Sequence, residues 1–261
     1  MLRSPVHLDR RGTERCYVRF VALGDSATFG LGDRPDEDYR GWASLLVTAI
    51  RNEHDVSFCN LATPGARAGD VRLGQVPAAL EHGPHLASLI VGINDTLHAD
   101  WDAEQVRIDL LQTAALMHER GALLMTALFH DHSQVFRLPG FLARPLRTRI
   151  DALNAVYAEI QDRFGGVQVD LSAHPGIYDR EFWSADRLHP SELGHRALAD
   201  EFAAGLARFG LEFDPPGMAL DGPRELPSAR VRTVVTEMVP WVARRVAEFA
   251  TAAPRPGWTR G

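Results

Sequence analysis

The stretch that decides the fold is Tyr17-Val18-Arg19-Phe20-Val21-Ala22-Leu23, which runs directly into Gly24-Asp25-Ser26. Its β-branched and aromatic residues predict a strand, and the small residues from Gly24 onward predict the turn that ends it. Short apolar runs then alternate with longer segments whose apolar residues have helical spacing. Strands alternating with helices indicate βαβ units, which form a parallel sheet with helices on both faces.

Four more strands and four helices follow from the same patterns. The predicted strands cover residues 56–59, 86–91, 122–128 and 167–169, and the predicted helices cover residues 42–50, 103–120, 146–163 and 191–208. Ser191 is the expected N-cap of the last helix, with Glu192 in its first turn. The sequence therefore predicts an α/β fold, a three-layer α/β/α sandwich around a five-stranded parallel sheet.

The chain beyond the sheet is predicted to form a helical extension. The expected division is an α/β domain at 17–212, a Pro/Gly-rich linker at 213–227, an amphipathic helix at 228–250, and tails at 1–16 and 251–261. The apolar stripe of the helix has three interpretations: docking on its own domain, a homodimer contact, or contact with an anionic membrane surface. The net charge of −6 weighs against the membrane surface.

The absence of lysine excludes several classes of function. All 28 basic residues among the 261 are arginines, so the chain lacks the lysine of a P-loop, of a protein kinase and of a Schiff-base enzyme. The net charge of −6 also argues against nucleic acid as a partner, because binding phosphates needs a concentrated basic face. The remaining candidates are enzymes that need no catalytic lysine and proteins that bind ligands other than nucleic acids.

The cysteine count and the apolar runs indicate a location. Cys16 and Cys59 are the only cysteines, which fits free thiols in a reducing compartment better than a disulfide framework. No apolar run has the length of a signal peptide core or of a membrane span. We therefore expect a cytoplasmic protein.

Three loops after predicted strands carry groups that suit acyl-transfer chemistry. The turn at Gly24–Gly30 presents the hydroxyl of Ser26 and its backbone N–H, although it is not a G-x-S-x-G elbow. In the loop at 60–65, Gly65 has no side chain to keep its N–H out of a cleft. Asn94, after the most apolar strand, offers a neutral amide donor that suits an oxyanion. Each loop alone is equally well explained as an ordinary turn.

A fourth loop, just before the last helix, contains Asp186-Arg187-Leu188-His189-Pro190. Asp186 and His189 are three residues apart, so the carboxylate can accept the Nδ1 proton of the imidazole and leave Nε2 as a base. This spacing is common by chance. Together, however, the four loops supply a nucleophile, a base, an orienting acid and three oxyanion donors, in order along successive strand ends.

On these residues the chain resembles the SGNH hydrolases of the GDSL esterase/lipase family. The family's first, second, third and fifth blocks are matched by Gly24-Asp25-Ser26 with Thr28 and Gly30, by Asn60 with Gly65, by Gly92 with Asn94 and Asp95, and by Asp186-x-x-His189-Pro190. The resemblance covers roughly residues 17–210. It implies the flavodoxin-like five-stranded parallel sheet that the alternating pattern predicts independently.

The resemblance also implies roles for these residues. Ser26 would be the nucleophile, His189 the general base and then acid, and Asp186 its partner. The oxyanion hole would consist of the backbone N–H groups of Ser26 and Gly65 and the side-chain amide of Asn94. The implied activity is hydrolysis of carboxylic esters, as by an esterase or lipase, through an acyl-enzyme, with no cofactor and no metal.

Two other functions remain open at this point. An acyltransferase or thioesterase would use the same catalytic residues, with an alcohol replacing water or CoA as the leaving group. A catalytically silent SGNH scaffold would instead bind a partner through its apolar loop and C-terminal helix. The intact catalytic set argues against the silent scaffold, because such a protein has no physical need for Asp186 three residues before His189.

Two further motifs favour structural interpretations. His130-Asp131-His132 has the look of a metal site, but no H-E-x-x-H and no Cys/His cluster accompanies it, so we expect it to line the cleft. Gly30-Leu31-Gly32 lacks the third glycine of a dinucleotide fingerprint, which argues against a nicotinamide cofactor. The apolar stretch at 134–147 is predicted to be a loop, either packed against the domain or acting as an acyl-binding wall or mobile lid.

Overall fold

The computed structural model describes residues 9–10, 15–34 and 38–221. A two-residue strand β1 pairs antiparallel with the start of β2, and all other pairings are parallel. The strands are β1 (Asp9–Arg10), β2 (Cys16–Gly24), β3 (Asp55–Asn60), β4 (Leu86–Ile90), β5 (Leu123–Leu128) and β6 (Val167–Asp170). The five parallel strands lie in the order β3-β2-β4-β5-β6. This confirms the predicted five-stranded parallel sheet.

Helices connect the strands and cover both faces of the sheet. They are α1 (Ser26–Phe29), α2 (Gly41–Glu53), α3 (Ala68–Asp70), α4 (Val76–His82), α5 (Ile93–Leu97), α6 (Ala103–Glu119), α7 (His132–Phe136), α8 (Gly140–Phe164) and α9 (Glu192–Ala207). A π-helical turn at Val71–Gln75 precedes α4, and 3₁₀ turns occur at Leu171–Ala173 and Arg180–Phe182. Helices α2 and α9 pack together as one layer, and α6 and α8 as the other.

The core lies on both faces of the central strands. Every residue of β4 is buried, which explains why this strand is apolar throughout rather than alternating. Between the sheet and the α2–α9 layer, the ring of Trp42 packs on that of Phe202 with centroids 4.9 Å apart. Each such side chain contributes roughly 1.5–3 kcal/mol when it is fully buried. These contacts fix α9, and with it the segment that enters α9, against the sheet.

The prediction of a loop at 134–147 is wrong. Residues 134–136 belong to α7, and α8 begins at Gly140 rather than near residue 146. Pro145 obscured the pattern, because a proline inside a helix removes one backbone hydrogen bond. Leu142 and Leu146 are both buried and hold these first turns of α8 against the core. The stretch is therefore helical rather than a loop that could serve as a lid.

The predicted extension is described only in part. Residues 213–221 have no regular secondary structure, and Asp221 attaches this segment to the domain through ion pairs with Arg40 and Arg196. The helix predicted over 228–250 lies outside the described residues. Within the ranges that the structure covers, no helix is long and apolar enough to cross a membrane.

The strand order locates the functional edge of the sheet. The chain leaves β2 toward β3 on one side and then crosses back to β4 on the other, so the connections diverge at β2. In parallel α/β sheets, ligands bind outside the carboxyl ends of the strands at such a point. Ser26 follows the carboxyl end of β2, and Asn94 follows that of β4.

Candidate active site

Ser26 is the first residue of α1, immediately after β2. The Asp25 carboxylate caps this helix and accepts the backbone N–H of Ala27 at 3.1 Å. The peptide groups of Gly24 are clamped by the buried side chain of Gln75, whose Oε1 accepts the Gly24 N–H at 3.0 Å and whose Nε2 donates to the Gly24 carbonyl at 2.8 Å. The turn that carries Ser26 is thus fixed on both sides.

His189 and Asp186 complete a hydrogen-bonded chain with Ser26. The Nε2 atom of His189 lies 2.8 Å from Ser26 Oγ, and its Nδ1 atom lies 3.0 Å from Asp186 Oδ2. All three side chains are largely shielded from solvent. The structure therefore brings together three residues that the sequence placed in two loops 160 positions apart.

The carboxylate of Asp186 is stabilised in its charged form. Its Oδ1 accepts the backbone N–H groups of Leu188 at 2.6 Å and of His189 at 2.9 Å. Burial raises the pKa of Asp186, but the hydrogen bond and charge of His189 and these backbone donors together outweigh it and hold that pKa below its usual value. Asp186 is thus an ionised acceptor that fixes the Nδ1 proton of His189.

Asn94 lies in α5, whereas the sequence predicts a loop after the strand at this position. One N–H of its buried side-chain amide donates to the carbonyl of Ala66 at 3.0 Å. The other has only a 3.5 Å contact with Asp25 Oδ2, a distance at which a hydrogen bond is weak. One donor of Asn94 is therefore spent on orienting the amide, and the second is only loosely engaged.

Gly65 lies in the exposed part of the segment at residues 60–66, which we call the Gly65 loop. The side chain of Asn60 connects this loop to α1 by donating to the Thr28 carbonyl at 3.0 Å. Its Oδ1 accepts the N–H of Ala62, within the loop, at 3.1 Å. Gly65 has a φ of +80°, and a Cβ built on it would meet no atom within 4 Å. In the described part of the chain, neither its N–H nor that of Ser26 has a hydrogen-bond acceptor.

The Gly65 loop also borders a cavity of about 600 Å³. Leu73, Gly74 and Gln75 of the π-helical turn also line it, and the side chain of Leu73 is exposed. The lining mixes apolar groups such as Leu61 with polar ones such as Thr63. This cavity is large enough to receive part of a small organic molecule adjacent to Gly65.

Two buried carboxylates beside Asn94 belong to the matched sequence blocks but were given no role there. Asp25 contacts the Asn94 amide, and Asp95 accepts the Ala68 N–H at 3.1 Å and pairs with Arg67 at 3.5 Å. Burial is the largest cause of their shifts and raises the pKa of each carboxyl group to about 6, despite the donors around them.

Residues 183–190, which we call the His189 loop, are held from several sides. The loop closes on itself through a bridge between Trp183 and Pro190. Gly32, with a φ of +97°, packs so close that a Cβ there would stand 2.0 Å from the Pro190 carbonyl oxygen. The sequence related Gly32 only to a dinucleotide fingerprint. It could not identify this contact, because Gly32 and Pro190 are far apart in the chain.

The sequence predicts that His130 and His132 line the cleft, but the structure places them elsewhere. Both are buried, and they pack against Trp183 of the His189 loop with ring centroids 4.8 and 5.0 Å apart. Among the residues that the structure describes, no group of three or more His, Cys, Asp or Glu side chains could hold a metal ion.

Comparisons with known proteins agree with this architecture. The sequence profile of the GDSL-like Lipase/Acylhydrolase family matches residues 22–197. An acetylxylan esterase of Geobacillus stearothermophilus is 24% identical over 221 residues, which are 75% of this chain and 95% of that protein.

Solved structures share the fold at lower identity. A variant of an acetylxylan esterase from Geobacillus stearothermophilus superposes with a TM-score of 0.59 at 19% identity, over 76% of this chain and 96% of that one. The psychrotrophic esterase EstA from Pseudoalteromonas sp. gives a TM-score of 0.58 at 16% identity, over 73% of this chain and 97% of that one. Because the family profile covers well over half of its length, this chain belongs to the GDSL-like Lipase/Acylhydrolase family of ester-bond hydrolases.

Proposed function

We propose that the chain hydrolyses carboxylic esters through an acyl-enzyme formed on Ser26. The observation that supports this proposal most is the continuous chain Ser26 Oγ–His189 Nε2 at 2.8 Å and His189 Nδ1–Asp186 Oδ2 at 3.0 Å. A serine hydroxyl is a weak nucleophile until an adjacent base removes its proton. An ionised Asp186 keeps the Nδ1 proton in place, so that Nε2 of His189 is the acceptor.

The reaction proceeds in two acyl-transfer steps. Ser26 Oγ attacks the ester carbonyl carbon while His189 takes the hydroxyl proton, and His189 then returns it to the departing alcohol oxygen. Water enters and attacks the acyl carbon while His189 takes one of its protons. As the bond from Ser26 Oγ to the acyl carbon breaks and the acid leaves, His189 returns that proton to Ser26 Oγ. The charge that develops on the carbonyl oxygen in each step needs fixed donors.

Three donors are proposed for that oxygen. The backbone N–H groups of Ser26 and Gly65 are uncommitted in the described chain, and the second N–H of the Asn94 amide has only a 3.5 Å contact to give up. The cavity beside Gly65 would hold the part of the ester next to this oxygen. The related acetylxylan esterase supports acetyl esters of sugar hydroxyls as the first substrates to test.

Covalent labelling tests the proposal directly. A fluorophosphonate probe should attach to Ser26, and the Ser26→Ala variant should not be labelled. Ser172→Ala is the matched control, because Ser172 is an exposed serine whose hydroxyl bonds to the carboxylate of Asp170. Labelling of folded Ser26→Ala at the wild-type rate would contradict the proposal, and absence of labelling in the wild type would favour a silent binding protein.

A substrate series separates hydrolysis from transfer. Wild-type protein is assayed with p-nitrophenyl esters of increasing chain length and with an acyl-CoA, each with and without an added alcohol. A hydrolase releases the free acid at a rate that added alcohol leaves unchanged. Formation of a new ester at the expense of the acid would indicate an acyltransferase, and preference for the acyl-CoA would indicate a thioesterase.

A further inference from the structure

The backbone of the His189 loop turns at a strained residue. Arg187 has a φ of +60°, and it is one of two non-glycine residues in the described chain with a positive φ. Residues other than glycine rarely adopt this left-handed backbone conformation, because it carries a steric cost that surrounding contacts must offset. Arg187 stands directly after Asp186, so its conformation decides how the following peptide group faces the Asp186 carboxylate.

That peptide group is held at both of its ends. The N–H of Leu188 donates to Asp186 Oδ1 at 2.6 Å, and the carbonyl of Arg187 lies 3.1 Å from Nε2 of His132. In a trans peptide the carbonyl and the N–H point in opposite directions. A donor that fixes the Arg187 carbonyl therefore also aims the Leu188 N–H at Asp186.

The contacts assign the protons on both histidines. A carbonyl can only accept, so His132 Nε2 carries the proton, and Nδ1 of the neutral ring is an acceptor. His130 Nε2 lies 2.9 Å from that Nδ1 atom and must be the donor. This leaves His130 Nδ1 without a proton, and that atom is buried with no hydrogen-bond partner among the described residues.

The surroundings favour these neutral forms. Both rings are buried against Trp183, and burial lowers the pKa of His132 to about 4 and that of His130 well below its usual value. A continuous chain of donors thus runs from His130 through His132 and the 187–188 peptide to Asp186.

We propose that His132 is a positioning residue for the catalytic carboxylate, that it acts by holding the Arg187 carbonyl, and that His130 fixes its tautomer. This inference rests on the proposed roles of Ser26, His189 and Asp186. It concerns a residue that touches neither the substrate nor the reacting atoms. Its effect should therefore be on turnover and not on substrate affinity.

Two substitutions at His132 separate positioning from packing. His132→Phe keeps an aromatic ring but removes both hydrogen bonds, and it should lower kcat on the order of tenfold while KM changes less than about twofold. His132→Gln should recover most of that loss, because the amide can donate to Arg187 and accept from His130. If His132→Phe does not fold, His130→Phe serves in its place, with a smaller expected loss of kcat.

His54→Phe is the matched control. Like His132, His54 is buried and has a contact at each ring nitrogen. Its Nδ1 accepts the backbone N–H of Cys16 at 3.4 Å, and its Nε2 lies 2.9 Å from the carbonyl oxygen of Glu212. It precedes the amino end of β3, at the opposite edge of the sheet from Ser26. We expect His54→Phe to lower stability and leave kcat unchanged.

The outcomes are distinct. Two results would overturn the positioning role while leaving the proposed function intact. One is full kcat in His132→Phe. The other is a loss of kcat in His132→Gln and in His54→Phe that equals the loss in His132→Phe. Ser26→Ala is measured in the same series. Wild-type turnover in that variant would overturn the proposed function, and the role of His132 with it.

Discussion

The His189 loop and the Gly65 loop are built in opposite ways. The first has Trp183 and His189 buried, contains an arginine with a positive φ, packs closely against Gly32, and is held by the contact of the 187–188 peptide with His132. The second is exposed at Gly65, which has open space beside it and borders a cavity. A base must keep its geometry through both steps of acyl transfer, whereas oxyanion donors must stay accessible until substrate charge arrives.

The largest effect should come from the His189 loop. His189→Ala removes the proposed base and should lower kcat/KM on the order of 10⁶-fold, as should Ser26→Ala, and the double variant should lose little more because the two residues would act as one unit. Asp186→Ala leaves an imidazole that can still accept a proton, so its loss should be smaller, on the order of 10⁴-fold.

Measured kcat/KM values for these variants, with circular dichroism to establish folding, decide this prediction. The pairing of Asp186 with His189 would be wrong if Asp186→Ala proved harmless while removal of another acidic residue abolished turnover.

A smaller loss is expected on the open side. Asn94→Ala removes one of the proposed oxyanion donors, and loss of such a donor typically lowers kcat by about 10²–10³-fold. KM should change much less, because this contact strengthens only as charge develops. Separate kcat and KM values test the prediction, with Thr48→Ala as the control, because Thr48 is exposed on α2 and does not line the cavity. A rise in KM at constant kcat would make Asn94 a ground-state contact instead.

The two glycines test the comparison through stability. Alanine at either position carries the strain of a positive φ, roughly 1–2 kcal/mol. Gly32→Ala adds an overlap with the Pro190 carbonyl oxygen at 2.0 Å, while Gly65→Ala meets no atom. We expect Gly32→Ala to cost about 1–3 kcal/mol more in free energy of unfolding.

Urea unfolding measures this difference, and kcat of the folded fraction shows whether the His189 loop has moved. Equal free energies of unfolding for the two variants would contradict the close packing at Gly32.

The sequence and the structure agree where the signal is local. A β-rich run such as 17–23 or an apolar stripe such as 103–120 is decided by neighbours in the chain, so these elements could be predicted to within a few residues. The strand ends then located Ser26 and Asn94, and the start of the last helix located His189. The helical start of α8 was missed because the stretch at 134–147 was predicted to be a loop, whereas α8 continues through Pro145.

The supports of the site could not be predicted in the same way. Gln75 clamps Gly24 from 51 residues away, and His132 contacts Arg187 from 55 residues away. No periodicity or turn signal records such pairs, since they depend on how separate loops meet at the sheet edge. The motif at 130–132 was visible in the sequence, but its interpretation needed the fold.

The regions around the two loops differ in how protons affect their stability. Burial lowers the pKa of His132, which contacts Arg187, and of His195 in α9 to about 4, from an ordinary value of 6.5. Burial raises the pKa of Asp25 and Asp95, beside Asn94, to about 6, from 3.8. Between pH 4 and 6 the unfolded chain binds more protons at the histidines, and the folded chain binds more at the aspartates.

The smallest effect we predict follows from these opposite signs. The stability that neutral His195 contributes is present above pH 6.5 and is lost as pH falls toward 4, whereas that of protonated Asp95 is present below pH 3.8 and is lost as pH rises toward 6. His195→Gln keeps an acceptor for Trp42 and a donor for Leu31 without titrating, and Asp95→Asn keeps an acceptor for Ala68. From pH 5 to 6, the free energy of unfolding of the wild type should rise by about 1 kcal/mol relative to His195→Gln and fall by about 1 kcal/mol relative to Asp95→Asn. Urea unfolding at both pH values measures the two differences, and differences of the same sign would show that the two regions do not oppose each other.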